Sequence, residues 1–134
     1  MSLYNKYVLP KVIDWACSQK PSMKQRAKII PQAQGNVLEI GIGSGLNLPF
    51  YAKDALKHLT AIDPSIETWH KNKIDTQSLP FGFEFIKAFA EDIPADSNSF
   101  DTVVITYALC TIPDTQKALS EIRRVLKTNG KLLF

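Results

Sequence analysis

Residues 36–51, NVLEIGIGSGLNLPFY, combine a short apolar run, one acid and three glycines in a pattern that predicts a ligand site. Glu39 lies inside the apolar run, where an ionised carboxylate needs a cation or hydrogen-bond donors because its desolvation is costly. Gly41, Gly43 and Gly45 follow at every second position. Their missing side chains let the chain turn tightly and let a ligand lie against the backbone. The segment predicts binding of a ligand with a cationic end.

Two other glycine signatures do not fit this segment. A dinucleotide fingerprint needs its third glycine at the sixth position, which is Leu46 when counted from Gly41. A Walker loop ends in Gly-Lys-Ser or Gly-Lys-Thr, whereas Gly45 is followed by Leu46 and Asn47. The sequence therefore disfavours a pyrophosphate site and a nucleotide-dependent oxidoreductase.

More polar residues follow apolar runs further along the chain. Asp63 and Pro64 follow HLTAI, and a carboxylate there can accept two hydrogen bonds from a ribose diol. Capping of the next helix, by Asp63 or by the following serine, is the structural alternative. Glu91 and Asp92 follow the run FEFIK, in a segment that could also be an ordinary polar loop. Thr106 ends the run SFDTVVIT.

The order of the elements predicts how these residues are positioned. Over residues 35–134, short β-branched runs alternate with helical patterns, which is typical of an α/β fold with a doubly wound parallel sheet. Ligands of such sheets bind at the carboxyl ends of the strands, near the switch point. Glu39, Asp63, Asp92 and Thr106 all fall at such ends, so we expect them to meet at one edge.

We predict a single domain with a helical cap over residues 1–34 and a core over residues 35–134. The cap helices are predicted at Leu3–Ser18, kinked near Pro10, and at Pro21–Ile30. The five strands are predicted at Val37–Ile40, His58–Ile62, Phe83–Lys87, Ser99–Thr106 and Lys131–Phe134. The core helices are predicted at Leu46–Lys53, Ile66–Asp75 and Gln116–Leu126, the last ended by a left-handed Asn129 or Gly130.

The segment Glu39–Gly45 resembles the first motif of the class I S-adenosylmethionine-dependent methyltransferases. The segment AEDIP resembles a later motif of that family. The wording ALCTIPD, residues 108–114, is similar to a bacterial type-11 methyltransferase subgroup and to animal microsomal thiol methyltransferases. The resemblance covers nearly all of the chain from about Leu3. It implies a Rossmann-like sheet with strand order 3-2-1-4-5 and S-adenosyl-L-methionine as cofactor.

The resemblance also implies residue roles. Glu39 would pair with the cofactor's amino group, and the three glycines would lie against its carboxylate and adenosine. Asp63, followed by Pro64, would bind the ribose, and Asp92 or its neighbour Glu91 the adenine. Thr106 would belong to the cofactor site, and the family's fourth motif, which follows it, would line the methyl end of the cleft. The N-terminal helices would lie over that cleft, where Tyr4, Tyr7 and Trp15 either cover the cofactor or pack in the core.

No catalytic residue is assigned, because transfer of an already activated methyl group needs positioning and exclusion of water more than an acid or base. His58, Tyr107, Cys110 and Asp114 are the acceptor-side candidates, with a buried apolar thiol as the alternative for Cys110. The predicted activity is methyl transfer to nitrogen, sulfur or oxygen of a small molecule or lipid headgroup. The alternative is a non-catalytic cofactor-binding module or partner subunit completed by a second chain.

Family members continue past the fifth strand with a helix and an antiparallel pair, so the resemblance implies a C-terminally incomplete sheet. An uncovered fifth strand ending in Leu-Leu-Phe then predicts a homodimer or poor solubility.

Composition gives the remaining expectations. No apolar run approaches the ~20 residues of a membrane helix and no signal peptide opens the chain, which predicts a cytoplasmic protein. Cys17 and Cys110 lie 93 positions apart without metal-type spacing, so reduced thiols and no metal site are expected. The net charge of +3 is too small to indicate nucleic-acid binding. Residues 1–34 hold six basic residues against one acid, which favours a solvated helix face over a phosphate contact.

Overall fold

The computed structural model describes residues 20–106 and 112–134. The predicted helix at Leu3–Ser18, with Tyr4, Tyr7 and Trp15, lies outside these residues, as do Tyr107 and Cys110. The described residues form a five-stranded sheet of β1 Gly35–Ile40, β2 Leu56–Asp63, β3 Gly82–Lys87, β4 Phe100–Ile105 and β5 Leu126–Leu133. All four strand pairings are parallel, and the strand order is β3-β2-β1-β4-β5. The predicted fold class and strand order are confirmed.

β1 is the central strand, and both of its faces are covered. Val37 packs in a cluster with Leu59 and Trp69 on one face of the sheet. Leu38 packs in a second cluster with Val103 and Ile122 on the other face. Because parallel strands are buried on both sides, they read as continuous apolar runs rather than as alternating ones. Glu39 is exceptional because it is an acidic residue in this buried, otherwise apolar part of the strand.

Three α-helices are described, α1 Lys20–Ile29, α2 Ile66–Trp69 and α3 Thr115–Val125, with short 3-10 turns at Ile30–Gln32, Leu48–Phe50 and Thr76–Ser78. In α3, Ala118, Ile122 and Val125 are buried, as its three- and four-residue spacing predicts. Asp114 caps α3 by accepting a 3.1 Å hydrogen bond from the backbone N–H of Lys117.

The predicted helix at Leu46–Lys53 is wrong. The chain instead makes turns and one 3-10 turn, Leu48–Phe50, and then becomes extended at Tyr51. This path sends the side chain of Tyr51 into the interior, where it is buried. The pairing of a buried acid with Tyr51 therefore overrides the local helical pattern.

The predicted helix at Ile66–Asp75 is also too long, since α2 ends at Trp69. The indole of Trp69 stacks on Phe83 and Phe85 of β3, with ring centroids 5.3 and 5.2 Å away. The side chain of Asn72 donates a 2.7 Å hydrogen bond to the backbone carbonyl of Trp69. This bond occupies a carbonyl at the end of the helix, and the aromatic stack fixes α2 against the edge strand.

The end of α3 differs from its prediction as well. β5 begins directly at Leu126, and neither Asn129 nor Gly130 is among the described residues with positive φ. The register with β4 breaks here, because Phe100 pairs with Leu126 whereas Thr102 pairs with Lys131. Leu126 is already extended, so no left-handed residue is needed to leave the helix. β5 lies at the edge of the sheet, and the homodimer through it stays a prediction.

Candidate cofactor-binding site

Glu39, Asp63 and Thr106 lie at the same edge of the sheet. Glu39 is the penultimate residue of β1, Asp63 is the last residue of β2, and Thr106 directly follows β4. The three strands are parallel neighbours, so their carboxyl ends meet beside the switch point. The side chain of Asn47 joins two of these residues, since its Nδ2 donates to Glu39 Oε2 at 3.1 Å and to Thr106 Oγ1 at 2.9 Å.

Glu39 is only 1% exposed, and both of its carboxylate oxygens accept hydrogen bonds from the chain. Tyr51 donates its hydroxyl to Oε1 at 2.6 Å, and Asn47 donates to Oε2. Burial raises the pKa of Glu39 to about 7, although the bonds from Tyr51 and Asn47 and the charge of Arg26 act to lower it. Burial also raises the pKa of Tyr51, which therefore stays protonated and donates. The carboxyl group thus titrates close to neutral pH.

Arg26 of α1 completes a polar cluster of four buried residues, Arg26, Glu39, Asn47 and Tyr51, and half-buried Thr106. Its Nη1 donates to Asn47 Oδ1 and, at 3.5 Å, to Thr106 Oγ1. The sequence reasoning found Glu39 and Thr106 but missed the other three residues. The available signal was the acid itself, because a buried carboxylate requires donors and Asn47 and Tyr51 follow it closely in the chain.

Asp63 holds the glycine segment onto the sheet. Its Oδ2 accepts a 2.9 Å bond from the N–H of Gly43, and its Oδ1 accepts a 2.8 Å bond from the N–H of Ser65. Burial raises the pKa of Asp63, whereas the bonds from Ser65 and Gly43 act to lower it. Ser65, rather than Asp63, caps α2 by accepting from the N–H of Thr68. Each oxygen of Asp63 has further acceptor capacity, so ribose binding stays a prediction.

The three glycines of the motif have positive φ, at 73° for Gly41, 59° for Gly43 and 85° for Gly45. Their N–H groups all bond within the chain, to the carbonyl of Ile62, to Asp63 Oδ2 and to the carbonyl of Ile42. These glycines therefore let a ligand lie close to the backbone, but their three N–H groups are already used and are not offered to it as donors.

Gly43 and Gly45 differ in the space around them. A Cβ at Gly43 would have its nearest neighbour, Thr68 Cγ2, at 3.9 Å. A Cβ at Gly45 would lie 3.1 Å from Leu48 Cδ1 and 3.4 Å from Trp69 Cζ3. Gly43 thus faces open space that a ligand can occupy, whereas packing against Leu48 and Trp69 requires a glycine at position 45.

The predicted adenine loop follows β3, and a clamp from α3 holds it. Glu121 Oε2 accepts from the N–H of Ile93 at 2.8 Å, and Arg124 donates to the carbonyls of Ile93 and Ala95 at 2.9 and 2.8 Å. Within this loop Asp92 is exposed and Glu91 is half-buried. The clamp fixes the backbone beside the two acids while leaving the side chain of Asp92 open to a ligand.

The model of the methyltransferase domain family matches residues 38–134 of the chain. The chain belongs to the methyltransferase domain family. Ubiquinone/menaquinone biosynthesis C-methyltransferase UbiE of Rickettsia prowazekii is 35% identical over 111 residues, which are 78% of this chain and 45% of the relative. Thiol S-methyltransferase TMT1B of Mus musculus is 34% identical over 122 residues, which are 87% of this chain and 49% of the relative.

A third relative is the phosphatidylethanolamine N-methyltransferase of Cereibacter sphaeroides, 29% identical over 119 residues, with 87% of this chain and 57% of the relative covered. The methyltransferase domain thus spans about half the length of the curated relatives it matches. The fold is shared with the solved structure of a SAM-dependent methyltransferase from Leishmania major, at a TM-score of 0.74 and 17% identity. This match covers 96% of this chain and 56% of that one.

S-adenosylmethionine is the cofactor implied by membership of this family. The residues of the methyltransferase domain fit its chemistry, because a buried acid and Asp63, which holds an open glycine, lie at one sheet edge. Over residues 20–106 and 112–134, no group of three or more His, Cys, Asp and Glu side chains could hold a metal ion. Within the same residues, none of the helices has both the length and the apolarity needed to cross a bilayer.

The acceptor-side candidates that the structure describes lie away from the cofactor edge or are already engaged. His58 is the third residue of β2, towards the opposite end of the strand, and its Nδ1 lies 3.4 Å from Thr60 Oγ1. Asp114 caps α3. Neither position places its side chain for acid or base catalysis at the cofactor edge.

Replacing Arg124 by alanine is expected to speed hydrogen exchange of the backbone N–H of Ile93. The substitution removes the donors that hold two carbonyls of the loop and the partner of Glu121, so the loop opens more often. Exchange measured by NMR checks this result, with Arg123→Ala, an exposed neighbour on the same helix, as the control. If the N–H of Ile93 exchanged equally fast in Arg124→Ala and Arg123→Ala, Arg124 would not hold this loop.

Proposed function

We propose that this domain binds S-adenosylmethionine at the carboxyl edge of its sheet and transfers the methyl group to a small-molecule or lipid-headgroup acceptor. The observation that carries the proposal is that Glu39, a buried carboxylate, and Asp63, which holds the open backbone of Gly43, lie at the carboxyl ends of two neighbouring parallel strands. A buried acid and an open glycine at one sheet edge suit a ligand that combines a cationic amine with a flat nucleoside. Family membership supports the same reaction class.

The chain's own residues supply binding and orientation. S-adenosylmethionine, when bound, supplies a methyl group already activated by the positive charge on its sulfur. Glu39 pairs with the cofactor's amine, Asp63 accepts the ribose hydroxyls and Asp92, with Glu91 beside it, accepts from the adenine. Holding the reacting groups in line and excluding water then provide most of the rate enhancement. No catalytic acid or base is assigned.

The acceptor atom is the less constrained part of the proposal. The three relatives are named for methylation at carbon, sulfur and nitrogen, so carbon joins the nitrogen, sulfur and oxygen expected from the sequence. One relative is named for a phospholipid, which supports keeping a lipid headgroup beside small molecules as acceptor class.

Titration calorimetry with S-adenosylmethionine, followed by an assay for S-adenosylhomocysteine production, tests the proposal. The acceptor panel should contain an alkyl thiol, a primary amine, a quinol and phosphatidylethanolamine vesicles, one for each proposed acceptor chemistry. Binding together with turnover of any member supports the enzyme. Binding without turnover favours a cofactor-binding module, and failure to bind at any pH between about 6 and 8.5 would overturn the proposed site.

Replacing Asp63 by alanine is expected to weaken S-adenosylmethionine by about 1–3 kcal/mol, the usual cost of leaving polar partners unpaired. The change removes the predicted ribose acceptor and also releases the N–H groups of Gly43 and Ser65. The matched control is Asp75→Ala, because exposed Asp75 likewise accepts a backbone N–H, that of Gln77. Calorimetric affinities that fall equally in both variants would remove Asp63 from the site.

A further inference from the structure

Arg26 is a charged side chain of α1 that lies in the interior of the domain. It is 5% exposed, and its guanidinium contacts the side chains of Asn47 and Thr106. Burying a guanidinium is costly unless it is hydrogen-bonded and near an opposite charge. Its guanidinium thus links α1 to side chains at the carboxyl edge of the sheet.

The contact with Arg26 determines which way the Asn47 amide faces. Arg26 is a donor only, so it bonds the amide oxygen of Asn47 and directs the amide nitrogen elsewhere. That nitrogen has two hydrogens, and they go to Glu39 Oε2 and to Thr106 Oγ1. A flipped amide would place its nitrogen against the guanidinium and its oxygen against the carboxylate, which is unfavourable at both ends.

We propose that Arg26 is a positioning residue for cofactor binding, which fixes the Asn47 amide so that the anionic form of Glu39 is stabilised and faces the cofactor's amine. This inference rests on the proposed function, because it takes Glu39 as the partner of that amine. It assigns to α1 a role at the cofactor edge that acts through Asn47 rather than through contact with the cofactor. Arg26 and Glu39 are joined by one shared side chain, so the coupling has a defined structural route.

The consequence appears in the titration of Glu39. Among the described residues, the charged and titratable groups that influence it are Tyr51, Arg26 and Asp63, and Asn47 is a further hydrogen-bond partner. The Asn47 hydrogen bond and the Arg26 charge both lower the pKa of Glu39, so losing Arg26 raises that pKa further above its ordinary value. A cationic amine binds the carboxylate form, so affinity rises as pH rises through the pKa of Glu39. Without Arg26 that rise moves to higher pH.

The test compares the wild type with Arg26→Met, Arg26→Lys and Lys28→Met, where Lys28 is an exposed control on the same helix. Carboxyl-carbon NMR gives the midpoint of Glu39 in the cofactor-free protein. Calorimetry with S-adenosylhomocysteine, which carries the same amino group, gives affinity against pH. We expect both midpoints to rise by about half a pH unit or more in Arg26→Met, to rise less in Arg26→Lys and not to move in Lys28→Met.

The outcomes separate this inference from the proposed function. If the wild type does not bind S-adenosylhomocysteine at any pH, the proposed site fails, and the NMR midpoints alone still decide whether Arg26 acts on Glu39. Unchanged midpoints in Arg26→Met overturn the inference even if cofactor binds well. Should Arg26→Met not fold, Asn47→Leu removes the connecting amide with Arg26 intact, and an unmoved Glu39 midpoint in that variant overturns the inference equally.

Discussion

The Glu39→Gln variant is expected to gain about 3 kcal/mol of unfolding free energy relative to the wild type as the pH rises from about 4.5 to about 8.5. Burial raises the pKa of Glu39 from 4.5 to about 7. A carboxyl group with a raised folded-state pKa contributes fully below its unfolded pKa, and that contribution is lost as the pH rises through the folded value. Glutamine does not titrate, so the wild type alone loses this stability.

Urea unfolding of both proteins at several pH values measures the difference. The comparison removes the contributions of titrating groups that are not coupled to Glu39, such as Asp101 and Glu121, which both proteins share. Glu84→Gln makes the same chemical change at an exposed position of β3 and serves as the control. If the difference in unfolding free energy between Glu39→Gln and the wild type stayed constant with pH, the pKa of Glu39 would not be raised in the folded protein.

The same variant is expected to lose cofactor affinity while it gains stability at high pH. Replacing the carboxylate by a neutral amide removes the predicted partner of the cofactor's amine, and the new amide nitrogen cannot accept the hydrogen bond that either Asn47 or Tyr51 donates. These opposite effects are expected of a functional group that is costly to bury: removing the buried charge stabilises the fold but removes the group that the ligand needs. The calorimetric affinity and the urea midpoint together distinguish this from general damage.

Gly43→Ala is expected to weaken S-adenosylmethionine about tenfold to a hundredfold, because a methyl group placed in a close contact costs about 1–3 kcal/mol. The protein itself has room there, so the loss of stability should be only the roughly 1–2 kcal/mol of a non-glycine residue at positive φ. Isothermal titration calorimetry gives the change in affinity, and urea unfolding gives the change in stability.

Gly45→Ala is the matched control for this prediction, since the same substitution meets Leu48 and Trp69 instead of open space. We expect it to cost about 2–4 kcal/mol of stability, from strain and overpacking together. Gly43→Ala should therefore have the lower affinity for the cofactor, and Gly45→Ala the lower stability. If Gly43→Ala bound the cofactor as well as the wild type, the ligand would not lie against that glycine.

Much of this architecture could be predicted from the sequence, and the reasons are physical. The apolar runs around Val37 and Val104 can be buried only in a sheet covered on both faces, and their alternation with helical patterns requires parallel strands. An acid inside the first run could not be explained by packing, which is why Glu39 was identified. The strand order of the sheet then placed Asp63 and Thr106 beside it.

The partners of Glu39 could not be predicted, because they depend on contacts distant in sequence. Asn47 and Tyr51 fit a helical pattern locally, and only the path of the folded chain turns both side chains inward. Arg26 reads as one more basic residue of a solvated helix until α1 is seen against the sheet. The different surroundings of Gly43 and Gly45 likewise depend on Trp69, whose place is fixed by stacking on β3.

The buried residues upstream of β1 have a consequence for where this folding unit starts. The family match begins at residue 38, yet Ile30 and Ala33 are fully inside the core and Arg26 reaches the tips of the strands. A fragment cut at that match would lose the first half of its central strand and the guanidinium that contacts Asn47 and Thr106. The smallest autonomous piece of this protein should therefore be sought well upstream of the boundary drawn by sequence similarity.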